Sequence, residues 1–235
     1  MRKYVDLHVI PRIEDEDSWR HTAQLLGIAG YSAVALTVPT GLMDDRLRSL
    51  RRSFADAGLE VFLRADFACS GRHDLLKLLR RFRRLFDIIS VKCLNHAVAL
   101  VAARDRRVDV IFFDLPQRNA WFDHSIANVC RAAFEFNLRP LIEDASLLSI
   151  AMRQVRIAEE HKVNIVMSSG CTSPAFVRAP AQLSAVGSML GLDRHRVRET
   201  VSLIPWSILE KNVERMSNEH VEDGVRVRRK RSRND

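Results

Sequence analysis

Residues 87–114, DIISVKCLNHAVALVAARDRRVDVIFFD, contain one complete strand-helix-strand unit. Ile88, Ile89 and Val91 form a short β-branched run that stops at Lys92. Asn95 stands where a helix N-cap belongs, ahead of a helix through Ala97, Leu100, Val101 and Ala103. Residues 108–113 are the next apolar run, closed by Asp114 and Pro116. Two apolar strands joined through a crossover helix lie parallel in one sheet.

The same alternation extends in both directions. Strand-like runs occupy 4–10, 33–38, 59–65, 88–91, 110–113, 140–143 and 165–167, and 201–204 offers an eighth. Helical spacing of three and four marks 19–29, 45–57, 73–86, 124–136, 147–161 and 181–190. Seven or eight βα units without a long irregular insertion predict an α/β fold, a closed (β/α) TIM-like barrel over residues 1–216. An open doubly wound sheet is the competing architecture, and it lacks a G-x-G-x-x-G fingerprint here. After Met216 the chain has no periodic apolar face and ends in Arg226, Arg228, Arg229, Lys230, Arg231 and Arg233. Residues 217–235 are therefore expected to be a disordered basic tail, either an arm along an RNA backbone or a solubilising extension.

The chain has 235 residues, 47% of them hydrophobic, with only 9 Gly and 7 Pro, enough for one large core. Lys plus Arg number 37 against 29 Asp plus Glu, a net charge of +8, which points to an anionic partner. Only six of the 37 are Lys, and guanidinium forks suit phosphate better than point charges do. Cys69, Cys93, Cys130 and Cys171 are scattered without a C-x-x-C pair, and read as reduced thiols of a cytoplasmic protein. The first apolar run is interrupted at Asp6 and is too short for a signal peptide or a membrane span.

In such a barrel the strand ends gather His8, Thr37, Arg64, Asp66, Lys92, Asp114, Glu143, Ser168 and Ser169 on one face, where barrels keep their sites. Asp6 and His8, with Asp114 and Glu143, could hold a metal for phosphoester hydrolysis. Against this, there is no H-x-H pair and no later D-x-H pair, the other histidines lie away from strand ends, and Lys92 and Arg64 put positive charge beside any cation. Rim salt bridges are the plainer account of the same residues.

Three other features carry positive charge or anion-binding chemistry. In SSGCTSPAFVRAP, residues 168–180, hydroxyls and a Gly follow a strand and Arg178 can reach back, as a phosphate cradle requires. A loop that merely caps the next helix would look the same. In the helix 73–86, Lys77, Arg80, Arg81 and Arg84 make a one-sign stripe beside the core face, where solvated helices usually mix signs. Such a stripe suits an anionic partner, RNA ahead of a membrane surface. Arg104, Arg106 and Arg107 stand at the turn entering the strand 110–113, at the barrel end opposite Lys92. Only a large partner could touch both ends. The acidic run Glu14 to Asp17 is explained by the helix dipole.

Taken together, YVDLHV, SVKCLNHAVALVAARDRRVDVIFF, VNIVMSSGCTSPAFVRAP and VSLIPWSILEKN resemble the ribonuclease P protein component 3 family, over about residues 1–213. The specificity lies in the order of these segments. The resemblance implies a distorted (β/α) barrel related to polymerase and histidinol phosphatase domains, in a subunit of the enzyme that removes the 5′ leader of precursor tRNA. It implies that the RNA subunit catalyses with its own magnesium ions, that this chain binds no cofactor, and that its partners are ribonuclease P RNA, precursor tRNA, the component 2 protein and other protein subunits. It carries RNA contact to Lys92, Ser168, Ser169 and Arg178, and less firmly to Arg104, Arg106 and Arg107. Cys171 departs from the small residue, commonly Ala, expected after Ser-Ser-Gly. The alternative is a stand-alone metal-dependent phosphoesterase.

Overall fold

The computed structural model describes residues 2–41, 45–115 and 120–217, and the backbone of 220–222 and 225–226. Seven strands, β1 (Val5–Val9), β2 (Ala33–Thr37), β3 (Glu60–Cys69), β4 (Ile88–Cys93), β5 (Val110–Phe112), β6 (Ala133–Asn137) and β7 (Ile165–Ser168), pair in parallel in sequence order. Residues 87–114 fold as their pattern predicts. β4 and β5 pair through Ser90–Val110, Val91–Ile111 and Lys92–Phe112, with α4 (His96–Arg104) crossing between them. Asn95 caps α4, its side chain accepting from Val98 N at 2.9 Å, and Asp15 and Asp123 do the same for α1 (Glu16–Ile28) and α5 (His124–Ala127). Asp87 and Asp109, just ahead of β4 and β5, accept the N–H groups of Leu63 at 2.7 Å and Ile89 at 2.8 Å. Each incoming strand is thus tied to its predecessor by a carboxylate.

The barrel closes without an eighth strand. At the carboxyl end of the strands Val9 bridges Cys171, with Ile10 N donating to Cys171 O at 2.7 Å and Cys171 N to His8 O at 3.2 Å. At the amino end Val5 N donates to Val201 O at 3.0 Å. Residues 201–204, expected as a possible strand, instead form the turn after α9 (Arg194–Thr200) and the first two residues of α10 (Leu203–Met216). Pro205 falls in the first turn of α10, where its missing N–H costs nothing. Inside the barrel Leu7, Ala35, Phe62, Ile88, Val110 and Val166 share one apolar cluster, and Ile204 and Leu209 of α10 join it from the amino-terminal end. This packed layer leaves the strands' carboxyl ends as the place for polar chemistry.

One stretch differs from its pattern. Spacing predicts a helix over 124–136 and a strand over 140–143, but the chain forms only the short α5, then β6, then α6 (Arg139–Glu143). The sequence AFEFN alternates strictly, and Phe134 and Phe136 pack into the outer core while Ala133 belongs to the barrel interior. A short alternating run embedded in a helical spacing satisfies both periods, and pairing with β5 and β7 decides for the strand. Pro140 then fits the first turn of α6.

Beyond α10, residues 220–222 and 225–226 pair as a short antiparallel ladder. The basic run from 227 on, like Pro116, lies outside the described residues. Among the described residues no helix is long and apolar enough to cross a membrane. All four cysteines are unpaired thiols, and only Cys130 is not fully buried.

Candidate functional site

Above the apolar layer the barrel interior turns polar. Arg64 and Asp66 of β3, Ser90 of β4, Glu135 and Asn137 of β6 and Ser168 of β7 meet there, and His8 joins them where the β1 register shifts between Asp6 and Val9. Arg64 stands at the centre, fully buried. Its guanidinium meets Glu135 in a bidentate pair at 2.7 and 2.6 Å. Nε donates to Asp66 at 2.6 Å, Nη1 to Leu7 O at 2.7 Å and Nη2 to Ser90 Oγ at 2.9 Å. All five guanidinium N–H groups therefore have acceptors. Ser168 Oγ donates to Glu135 at 2.6 Å. The His8 ring sits between acids, Nε2 3.0 Å from Asp66 and Nδ1 3.3 Å from Glu135 and 2.8 Å from Asn137 Oδ1.

Burial and the Arg64 charge both pull the His8 pKa down, but Asp66 and Glu135 outweigh them and hold it up to about 9. Burial pushes Asp66 and Glu135 up, and Arg64 and His8 more than reverse this, leaving Asp66 at about 2 and Glu135 lower still. Two cations thus balance two anions in a site that is buried except at Asp66. A cation whose pKa is raised in the fold stabilises fully below its unfolded value of 6.5, and loses that contribution as pH rises through 9. His8 is therefore expected to contribute on the order of 3 kcal/mol at pH 6 that is gone by pH 10. Urea midpoints at the two pH values should differ in the wild type, and His8→Gln should remove most of that difference. Equal pH dependence in both proteins would refute the charged pairing.

A hydrolytic metal centre needs imidazole and carboxylate lone pairs converging on one point. The residues here do not fit one. Both His8 ring nitrogens already face oxygen partners, Nδ1 on Asn137 and Nε2 on Asp66, both Glu135 oxygens face Arg64, and the Asp66 oxygens face Arg64 and His8. Asp6 turns away, accepting the N–H groups of His8 at 3.1 Å and Ser169 at 3.2 Å. Asp114 pairs with Lys92. Glu143, placed on a strand end by the sequence pattern, is exposed on α6, 3.6 Å from Arg139. The strand-end carboxylate is Glu135, hidden from the sequence reading by the helical spacing around it.

The residues expected to touch RNA fall into two groups. Ser168 and Ser169 are fully buried. Ser168 serves Glu135, and Ser169 Oγ accepts from Cys171 N at 3.1 Å, so neither offers an atom to a surface ligand. Their part is to hold the polar core and the turn that closes the barrel. Cys171 fits into that turn, and burial and the nearby Asp6 push its thiol up to about 12. Lys92 and Arg178 keep partial exposure. Lys92 leans on Asp114, and Arg178 donates to Ala175 O at 2.8 Å and Val177 O at 2.7 Å. At the other end of the barrel the three arginines diverge. Arg107 is held bidentately by Asp105 at 2.9 and 2.7 Å, and Arg104 Nε folds back onto Leu100 O at 3.0 Å. Only Arg106 turns into a groove, beside α10.

On α3 (Arg72–Phe82) and just after it, Lys77, Arg80, Arg81 and Arg84 are all exposed, and among the described residues none has a carboxylate partner. Arg83 ties this helix end to the turn before β5, donating to Arg107 O at 3.2 Å and pairing with Asp109. The stripe and the Arg106 turn are therefore neighbours. Sequence reading placed both features but could not join them, since that needs the helix to run back antiparallel to its strand.

Residues 3–217 match the family model for RNase P subunit p30. The Ribonuclease P protein component 3 of Methanosarcina acetivorans is 26% identical over 230 residues, covering 94% of this chain and 93% of the relative. Its counterpart from Natronomonas pharaonis is 28% identical over 184 residues, covering 74% and 75%. A chain in the cryo-EM structure of archaeal ribonuclease P with mature tRNA has a TM-score of 0.82 at 19% identity, covering 96% of this chain and 98% of its own. A putative prolidase from Bifidobacterium longum has a TM-score of 0.51 at 11% identity, covering 90% and 70%. The two likenesses agree on a TIM-like barrel, and the family match spans that barrel from β1 to the end of α10: the chain belongs to the RNase P subunit p30 family.

Proposed function

We propose that this chain is a protein subunit of ribonuclease P that supports the catalytic RNA in removing the 5′ leader of precursor tRNA, together with the component 2 protein and other subunits. The observation that carries the reading is Arg64. A buried guanidinium, satisfied on all five N–H groups, fills the barrel centre that a hydrolase of this shape would keep for its reacting groups. Chemistry then belongs to the RNA and the magnesium it binds, and the protein contributes charge and shape. Exposed arginines on α3 and the half-exposed Lys92 and Arg178 supply contacts to phosphates. The unpaired thiols agree with a cytoplasmic, reducing setting.

Reconstitution tests the reading. The pure chain should cleave no precursor tRNA at any magnesium concentration, whereas adding it with component 2 to ribonuclease P RNA should lower the magnesium needed for cleavage. Phosphoesterase activity of the pure chain that a chelator removes would overturn the reading in favour of a metalloenzyme. In the reconstituted complex Lys92→Ala and Arg178→Ala should each weaken RNA binding several-fold and reduce the salt slope by about one. An unchanged slope would take that residue out of the interface.

A further inference from the structure

α10 crosses the amino-terminal end of the barrel without sealing it. Between this helix and the turns that enter β5, β6 and β7 lies an open groove of about 590 Å³. Arg106 and Arg131 stand in those turns, and Lys211 and Arg215 line it from α10. The one acid in the lining, Asp109, is already shared: Oδ2 pairs with Arg83 outside the groove and accepts Ile89 N at 2.8 Å, and Oδ1 lies 3.8 Å from Arg215 within it. Arg106 and Arg131 are exposed, and among the described residues neither has a carboxylate partner. Four cations therefore face a groove in which the only carboxylate is already paired.

A second observation says what the groove awaits. Asn212, in the groove wall, is 1% exposed, and its Nδ2 is buried without any acceptor. Its Oδ1 accepts from Arg215 Nη1 at 3.4 Å, which fixes the amide with the N–H₂ end unanswered. Folded proteins rarely leave a buried donor unpaired, and one set among cations calls for an anionic oxygen. A peptide carboxylate would supply the oxygen, but peptides also need apolar anchoring pockets. Here Val108 and Ala133 are buried, and Ile208 is the only partly exposed apolar side chain in the wall. A phosphodiester backbone needs no such anchor and brings an anion at every nucleotide.

We propose that this groove holds backbone phosphates of ribonuclease P RNA. Arg106 and Arg131 grip the phosphates from the rim, and the Asn212 amide turns out of the wall to donate to a phosphate oxygen. The inference rests on the reading of the chain as a ribonuclease P subunit and adds a location, the barrel end opposite the strand ends. It also makes the groove continuous with the α3 stripe, since Arg83 bridges the two through Arg107 and Asp109.

The test measures binding of the full chain to ribonuclease P RNA by fluorescence anisotropy across a salt series. Arg106→Glu with Arg131→Glu should lower affinity at least about tenfold and make the slope of log affinity against log salt shallower by about two. Arg20→Glu with Arg48→Glu, an equal charge change at positions with local carboxylate partners, should leave both quantities near wild type. The Asn212 side-chain amide resonances should shift when RNA is added to the wild type and stay in place in the double variant. Wild-type binding that the groove variant retains, with immobile Asn212 resonances, would overturn the groove while leaving the subunit reading intact. Loss of affinity equal in the control pair would show a net-charge effect and overturn it too. A wild-type chain that binds no ribonuclease P RNA, alone or with component 2, would instead defeat the subunit reading itself. Displacement of the RNA from the groove by an acidic peptide, at concentrations where it leaves the α3 surface untouched, would assign the groove to a protein partner and refute the phosphate proposal.

Discussion

Arg64→Met should destabilise the barrel by about 3–5 kcal/mol, the loss expected when one member of a buried ion-pair network is removed and the others stay behind. Met keeps the aliphatic stem but not the guanidinium, so the loss combines the missing charge with a small cavity, and the triple variant below separates the two. Glu135 and Asp66 would be left buried without their guanidinium, with only His8 to balance them. One protonated imidazole cannot neutralise two carboxylates, so at least one of them must take up a proton or draw water into the barrel. Urea unfolding at pH 6 measures the loss. Adding Glu135→Gln and Asp66→Asn to Arg64→Met removes the orphaned charge and should recover a large part of the stability. A single variant with a wild-type midpoint, or a triple variant no better than the single, would show that the network is not what holds the upper barrel together.

The same magnitudes decide what the network is for. Removing charges from water costs several kcal/mol per ion, and their attraction roughly repays it, so the complete network adds little net stability over a packed apolar layer. What it does add is a fixed geometry. Arg64 links β3 to β1, β4 and β6 through Leu7 O, Ser90 and Glu135, and Ser168 extends the link to β7. Five of seven strands are thus registered at their carboxyl ends by one side chain and its partners. In the proposed role, with a large RNA against its outside, the barrel needs this rigidity more than it needs an open interior.

Much of this was legible in the sequence, and the failures have physical causes. The parallel barrel follows from residues 87–114 because strand, cap, helix and strand agree there at every level. β6 did not, because Ile126, Ala127, Cys130, Ala133 and Phe134 also fall at helical spacing and only pairing with β5 and β7 settles the matter. That error hid Glu135 and put Glu143 in its place. Arg64 was visible as a strand-end cation, but a barrel interior that buries an arginine is a three-dimensional fact, set by the acids that converge on it. The burial of Ser168 and Ser169 has the same origin: a hydroxyl after a strand reads alike whether it faces solvent or Glu135. The groove was illegible for another reason, since it joins turns from three βα units to a helix that follows the last of them only after two further helices, and only the path of α10 brings them together.

Reversing Arg80, Arg81 and Arg84 to Glu should lower affinity for ribonuclease P RNA by about 10²-fold at near-physiological salt and reduce the salt slope by about three. Each exposed guanidinium that neutralises a phosphate releases counterions on binding, so charge on this stripe acts through the salt dependence as much as through affinity itself. The helix should survive the change. Its core face, Leu75, Leu79 and Phe82, is buried and untouched, and charge effects at helical spacing are worth only about 0.2–0.5 kcal/mol per pair. Circular dichroism and the urea midpoint should therefore stay close to wild type while binding falls, which separates this variant from Arg64→Met, where stability falls. Neutral Arg→Gln changes should each reduce the slope by about one, without the added repulsion. On the proposed placement the groove and the stripe would meet different phosphates, so losses from the two sets should add in log affinity when combined. A salt slope unmoved by the triple reversal would leave the stripe as an ordinary solvated face, and would return the RNA to the strand-end rim of Lys92 and Arg178.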